Sequence, residues 1–455
     1  MANKKSYEIN MCEGAILPKL LQFAIPLMLS SILQLMFNAA DVVVVGKFAG
    51  DNSLAAVGCT GSLINLLINL FVGLSVGTNV MAARHYGAKQ NDELHATVHT
   101  SIMIAICGGI LLTIVGVLFT KGILELMGTP EAVLPLAALY LRIYFLGMLS
   151  NMLYNFGSAI LRAVGDTRRP MYYLMFAGVI NVILNLIFVI VLKMDVAGVA
   201  LATIISQTVS AVLVLKCLIT SNSVIKLVVR DLKIDLTELK NIIRIGLPAG
   251  LQGCIFSLSN VVIQSSINSF GEIVVSGSAA CQNLEGFVYV AMNSFYQAAL
   301  AFISQNIGAG RFSRVKRIII CALLSVTVTG ILLGQLELAF GSRLLGIYTD
   351  NPAVVEAGLA RMKIIDSTYF LCGLMDVMVG VLRGIGYSVM PMIVSLIGAC
   401  GTRLLWIATV FRIEQFHKVE TVYVSYTFSW FLTFLAHVIC FLAVRKKAVP
   451  GKDAA

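Results

Sequence analysis

The sequence predicts an all-α membrane protein: twelve transmembrane helices in two parallel six-helix repeats. Three observations carry this. The 455 residues are 58% hydrophobic and only 12% charged, about half the roughly 25% usual for soluble domains, and the mean hydropathy is +0.90. The apolar residues gather into runs of about 20 or more, the length that crosses a bilayer as a helix. The second half of the chain also repeats the first. A soluble protein of this size needs more polar surface, and a disordered chain needs more charge and less hydrophobicity, so both classes are excluded.

Twelve runs meet the length requirement: residues 17–42, 54–80, 97–120, 134–161, 170–192, 196–219, 239–268, 273–304, 318–340, 354–382, 389–411 and 421–444. Lys4 and Lys5 precede the first in the manner of a signal peptide, but that run carries Pro26 in its middle, continues to Asp41 and has a copy deep in the chain, so it reads as a retained helix. Turn signals separate the others, such as Gly165-Asp166-Thr167-Arg168-Arg169-Pro170 and Gly308-Ala309-Gly310-Arg311. The stretch between the sixth and seventh runs is polar and basic, and Asp235-x-x-Glu238 is a capping box opening the seventh helix. The organisation expected is an N-lobe over residues 1–220, a cytoplasmic linker over 221–240 whose amphipathic part lies on the membrane surface, and a C-lobe over 241–455.

The net charge of +10 sits mostly in alternate loops. Arg84, Arg162, Arg168, Arg169, Arg230 and Arg311 fall in one set, with Lys4, Lys5, Lys446 and Lys447 at the termini; the other set holds few basic residues, among them Lys121 and Arg343. Basic loops stay in the cytoplasm. Both termini are therefore expected there, which agrees with an even number of spans. The charge sets topology and is no sign of nucleic acid. The ten cysteines form no CxxC pair and no zinc-ligand spacing, so they read as free thiols on membrane helices.

The repeat has a steady offset. Leu161-Arg162-Ala163-Val164-Gly165 recurs as Leu382-Arg383-Gly384-Ile385-Gly386, and Pro170 as Pro391, both 221 residues on; Pro26 matches Pro248 and Asn38 matches Asn260 at 222. Six spans per copy start both copies on the same side. Parallel repeats of this kind are a transporter architecture that works by alternating access.

Pro26 with Asn38-Ala39-Ala40-Asp41, then Ala82-Ala83-Arg84-His85-Tyr86-Gly87-Ala88, then Leu161-Arg162-Ala163-Val164-Gly165-Asp166-Thr167 and Pro170, resembles the multidrug and toxic compound extrusion (MATE) family, closer to its DinF-like branch than to NorM. The resemblance covers essentially the whole chain. It implies a V-shaped pair of six-helix lobes in a bacterial inner membrane. It also implies secondary active export of organic cations or amphipathic xenobiotics, coupled to inward flow of H⁺ or Na⁺ and needing no other cofactor. The expected partners are drug-like small molecules and the lipid bilayer, with the chain acting as a monomer and not on nucleic acid.

Acidic residues inside spans are the candidate sites, because an Asp at a bilayer centre costs about 2.5–3.5 kcal/mol and must face protein or water. Asp41 shares a helix face with Asn38, three residues earlier. Asn181 and Asn185 lie four apart on the fifth helix, and Thr203 reaches a similar depth on the sixth. The resemblance implies that these positions form a proton- or cation-binding cluster in the N-lobe. Asn185 stands where the family often has a second Asp. One carboxylate weakens the case for tight Na⁺ binding and leaves protonation of Asp41 open. The other reading is an Asp bonded to amides merely to fix helix packing.

In the C-lobe, Asp376 has Asn155 as its repeat partner, so the lobes differ by one charge at an equivalent site. That difference reads either as a coupling or substrate role or as drift. Glu285 follows Gln282 and Asn283 on the eighth helix and either supplies the acid missing from the seventh or forms a salt bridge to Arg403. Asn260 and Gln282 join these as C-lobe candidates. Lys363 is placed to snorkel or to pair with Asp366, and Arg162 and Arg383 to anchor cytoplasmic turns. Pro26 and Pro248 are expected to break the first helix of each lobe, as mobile bends or as static kinks. Met36, Phe37, Tyr289, Met292, Phe295 and Met375 could line an adaptable cavity or simply pack helices.

The functional expectation is therefore a cation-coupled multidrug exporter. The alternative is a flippase for a lipid-linked sugar or another amphipathic lipid, which predicts a strongly cationic cavity where this chain puts acids. Nothing resembling HExxH, GxSxG or a Walker A loop points to an enzyme.

Overall fold

The computed structural model describes residues 7–448, so the expectations on Lys4 and Lys5 lie outside the described residues. The fold is all helix and connecting turn, as lipid demands of a backbone whose polar groups find no water. The helices are α1 (Ile16–Phe48), α2 (Asp51–Ala88), α3 (Asn91–Leu126), α4 (Leu134–Leu146), α5 (Met148–Ala163), α6 (Arg168–Asn185), α7 (Asp195–Ile219), α8 (Leu236–Asn268), α9 (Glu272–Gly308), α10 (Phe312–Leu345), α11 (Pro352–Thr368), α12 (Phe370–Gly384), α13 (Val389–Ser395), α14 (Thr402–Ala408) and α15 (Val419–Ala448). Single turns of π-helix, Leu186–Val191 and Leu396–Gly401, extend α6 and join α13 to α14. Among the described residues, 10 segments are long and apolar enough to span alone, and two bent pairs bring the number to as many as 12.

The bent pairs correct the expectation of continuous spans over 134–161 and 354–382. Helices α4 and α5 meet at 47° around Gly147, and α11 and α12 at 44° around Tyr369. These positions lie within one residue of repeat equivalence, since 369 − 147 = 222 and the offset in this region is 221. A bend frees carbonyls that must find donors, and beside the first bend the Thr113 hydroxyl of α3 donates to Phe145 O at 2.8 Å, while Thr368 at the second bonds back along its own helix to Ile364 O at 2.9 Å. This is how a break is tolerated in apolar surroundings.

The prolines behave in the opposite way. Pro26 and Pro248 do not break their helices; α1 and α8 run through them for 33 residues each. A proline removes one bond from the ladder, and the turns on either side hold the rest. The repeat shows in the backbone as well. Gly165 and Gly386, 221 residues apart, both take left-handed conformations (φ 90° and 103°) just after α5 and α12.

The chain divides into two compact units. Unit 1 contains residues up to Asn10 and Leu29–Gly250, and unit 2 contains Met11–Met28 and the chain from Leu251, so the division falls inside α1 and α8. In unit 1, α5 packs on α2, α3 and α7. Ala82, Val98, Leu161 and Val214 form its core together with Ile225 and Leu227 of the linker, which are 0% and 2% exposed. The linker is therefore no surface-lying amphipathic helix; its apolar side chains fill unit 1. His99 Nε2 lies 3.1 Å from both the N–H and the C=O of Val228. Asp235 caps α8 by accepting from the backbone N–H of Thr237 and Glu238. Glu238 does not close the box; it bonds His85 at 3.2 Å and accepts from Thr97 at 2.7 Å.

In unit 2, α9 is the central helix, packed by α10, α11 and α12. Met292, Phe295 and Met375 are at most 2% exposed, so they pack this core. The Met292 sulfur lies where a Cβ on Gly330 or Gly373 would meet it, within 3 Å. All ten cysteines are free.

Candidate functional site

In unit 1, Asp41 lies seven residues before the end of α1 and Thr203 eight residues after the start of α7, each roughly 10 Å from its helix end at about 1.5 Å per residue. Asn185 closes α6 immediately before the π-helical turn, a feature frequent at functional sites. These elements bring the expected residues together. Asn185 Nδ2 donates to Asp41 Oδ1, and the same nitrogen lies 3.3 Å from Asn181 Oδ1. The Thr203 hydroxyl is within hydrogen-bonding reach of the Asp41 carboxyl and also contacts Val199 O at 2.9 Å.

Among the described residues no basic side chain pairs with Asp41. Asn185 Oδ1, in the same cluster, is buried without a hydrogen-bond partner. Asn38 stands apart, exposed on α1.

Sequence reasoning missed two further residues here. Tyr140 and Tyr144, stacked at 6.0 Å on α4, both feel the Asp41 charge, and Gln207 lies beside Tyr144. Gln207 follows Thr203 by four residues on one face of α7, a spacing that could have drawn attention to it.

In unit 2, Glu285 is salt-bridged, but not to Arg403. Arg361 of α11 grips it, with Nε to Oε1 at 2.7 Å and Nη2 to Oε2 at 2.8 Å. The physical reason is a close helix approach. A Cβ on Gly277 of α9 would lie 2.6 Å from Val354 O and 2.7 Å from Gly358 N of α11; two turns beyond that contact on α9, and one turn beyond it on α11, the acid meets the base. Arg403 instead donates to the Ser429 hydroxyl at 2.7 Å and stacks on Tyr426 at 4.2 Å and Trp430 at 5.5 Å.

Asp376 of α12 lies beside the Tyr289 hydroxyl and within the field of Arg383. Arg383 is no exposed loop anchor. It is 5% exposed and donates to Tyr296 Oη and Gln252 Oε1, both at 2.8 Å. Asp376 and Arg383 on α12, and Tyr289 and Tyr296 on α9, are each seven residues apart, so two matched pairs face each other. Gly380 lies between them, with room for no Cβ: one would come within 2.8 Å of Tyr296 O. In unit 1 the equivalent Asn155 only bonds back along its own helix to Asn151 at 2.9 Å.

The other candidates are not part of these groups. Asn260 is exposed on α8, and exposed Gln282 donates to Gln264 at 3.1 Å. Lys363 is exposed and does not pair with Asp366, which faces Glu337 instead. Among the described residues, no group of three or more His, Cys, Asp or Glu is placed to hold a metal ion.

Comparison with known proteins gives a consistent picture. The MatE family profile matches residues 26–187 and 248–407, once in each half. The probable multidrug resistance protein YoeA of Bacillus subtilis is 29% identical over 88% of this chain and 87% of its own. The multidrug export protein MepA of Staphylococcus aureus is 21% identical over 82% and 83%. A solved structure described as the outward-facing conformation of a multidrug resistance MATE family transporter of the MOP superfamily superimposes with a TM-score of 0.90, at 20% identity, over 98% of this chain and 100% of that one. That last likeness is one of fold.

Proposed function

Because the chain belongs to the MatE family and is a multi-pass multidrug efflux transporter, we propose that it exports drug-like organic cations or amphipathic compounds by proton-coupled antiport, with Asp41 as the coupling group. One observation carries this reading: a carboxyl in spanning helices, without a basic partner among the described residues, that accepts from Asn185 and lies beside Thr203, in a cluster whose Asn185 Oδ1 lacks a donor. A proton on Asp41 supplies a donor to that cluster. A Na⁺ ion is better served by two carboxylates, and here the second position is Asn185.

The same reading gives Asp376, with Tyr289 and Arg383, a substrate or second coupling role, and makes α1 around Pro26 the element that responds to Asp41. The presence of Asp41 in the first span and the lack of an acid in the stretch Cys254-Ile255-Phe256-Ser257 of the seventh span favour the DinF-like branch. Alternate-loop charge supports cytoplasmic termini in a bacterial inner membrane, with lobes over 1–220 and 241–455.

The test is Asp41→Asn, which keeps size and removes the titrating group. Efflux of a cationic dye from cells should be abolished at unchanged protein level; undiminished efflux refutes the role. Drug-induced proton release from purified protein, unaffected by Na⁺, separates H⁺ from Na⁺ coupling.

A further inference from the structure

We propose that Asp366 and Glu337 form a proton-binding site in unit 2, separate from Asp41, in which the two carboxyls share one proton. The site is built by a backbone contact between α10 and α11. A Cβ on Gly334 would lie 2.4 Å from Asp366 O, so the helices touch there. Glu337, one turn further along α10, faces the Asp366 carboxyl.

Asp366 is 1% exposed, and neither of its carboxyl oxygens has a hydrogen-bond partner; Glu337 Oε2 and Arg361 Nη1 are likewise buried without one. These are unsatisfied atoms of both signs in an enclosed site, and such atoms are costly to leave bare. A proton between the carboxyls satisfies two of them at once, the protonated carboxyl donating to the ionised one.

Charge counting requires the same thing. The groups facing the pair are Glu285 and Cys281 from α9 and Arg361 from α11, with Tyr369 just beyond α11; Tyr423 and Tyr426 of α15 cover the guanidinium. Arg361 spends two of its nitrogens on Glu285. With Glu285, Glu337 and Asp366 all ionised, the net charge of the site is −3 + 1 = −2. Two like charges facing each other in a medium of low dielectric cannot both persist; the pair takes up a proton as one unit. This site does not depend on the reading of Asp41, because no residue is common to both.

Infrared spectroscopy of the full chain in lipid nanodiscs reads the proton directly through the C=O stretch of a protonated carboxyl. The background is Asp41→Asn/Asp376→Asn, which removes the two other candidate acids that lie in spanning helices without a basic side chain bonded to them among the described residues. At neutral pH a protonated-carboxyl band that shifts in deuterium oxide should remain in this background. It should be lost on adding Asp366→Asn and Glu337→Gln together. Absence of the band from the background, or its survival in the combined variant, overturns the proposal. If the combined variant does not insert, Glu337→Gln alone suffices. It replaces the partner of Asp366 by an amide of the same shape, so the band must shift or vanish, and an unchanged band sinks the proposal.

Discussion

Arg361 holds Glu285 by two parallel hydrogen bonds in a site where the residues are 2% and 6% exposed. A buried pair of this kind is weak grounds for net stability, because desolvation offsets attraction, but removing one partner strands the other. Arg361→Met should therefore destabilise by about 3–5 kcal/mol, read as a large fall in thermal unfolding temperature in detergent. Adding Glu285→Gln should recover most of that loss, since Glu285 is then no longer a carboxylate stranded without its arginine. A double variant as unstable as the sum of the singles would show that the two groups do not act as a pair.

The matched pairs on α9 and α12 lead to a second expectation. The Tyr289 hydroxyl lies close enough to Asp376 to interact with its carboxyl, so Tyr289→Phe and Asp376→Asn remove the same interaction from opposite ends. Their effects on drug efflux and on unfolding should fall short of additivity, with a coupling of about 0.5–3 kcal/mol in stability. Additive effects would mean that Asp376 acts through Arg383 alone.

Glycines at helix contacts give a third. Gly380→Ala puts a Cβ within 2.8 Å of Tyr296 O, and backbone cannot step aside as a side chain can. The cost should be about 1–3 kcal/mol, as for overpacked cores. Gly122 of α3 has nothing within 4 Å of its Cβ position, so Gly122→Ala should be neutral or stabilising by up to about 1 kcal/mol through helix propensity. Thermal unfolding of the two variants side by side checks the contrast; equal behaviour would place the effect in propensity and not in packing.

What the sequence made legible follows from what a membrane enforces. Span lengths and Asp41 as a candidate were readable because an apolar run of fixed length and an acid inside it each carry a large energetic signature, the 221-residue repeat because the two halves share residues in order, and the nearness of Asn185 to Asp41 only through the family resemblance. Partner choice was not readable. That Glu285 meets Arg361 and not Arg403 depends on the rotation of α11, fixed by the contact of Gly277 with Gly358, and neither glycine differs in type from the many others. Gly147 hints at the bend between α4 and α5, whereas Tyr369 at the equivalent bend gives no compositional sign. The prolines do not interrupt α1 or α8, because a residue that disfavours helix in water is tolerated within a long membrane helix. Tyr140 and Tyr144 beside Asp41 look like any aromatic packing pair until the fold places them there.

The Asp41 cluster yields the last prediction. Asn185 Nδ2 donates to Asp41 and Asn185 Oδ1 has no partner, so the site has one carboxylate and a spare acceptor. Asn185→Asp keeps the side-chain shape, replaces the donor by an oxygen and sets two carboxyls face to face. A shared proton or a bound cation then becomes the only way to hold them together. The variant should therefore gain a dependence on Na⁺ that the parent lacks: Na⁺, but not K⁺, should raise its unfolding temperature and reduce its drug-induced proton release. Stabilisation by ligand follows mass action, about 2.7 kcal/mol at a hundredfold excess over Kd, so a Na⁺ titration of the unfolding temperature measures the new affinity. A variant indifferent to Na⁺ across that titration would show that carboxylate count is not what sets the ion preference of this cluster.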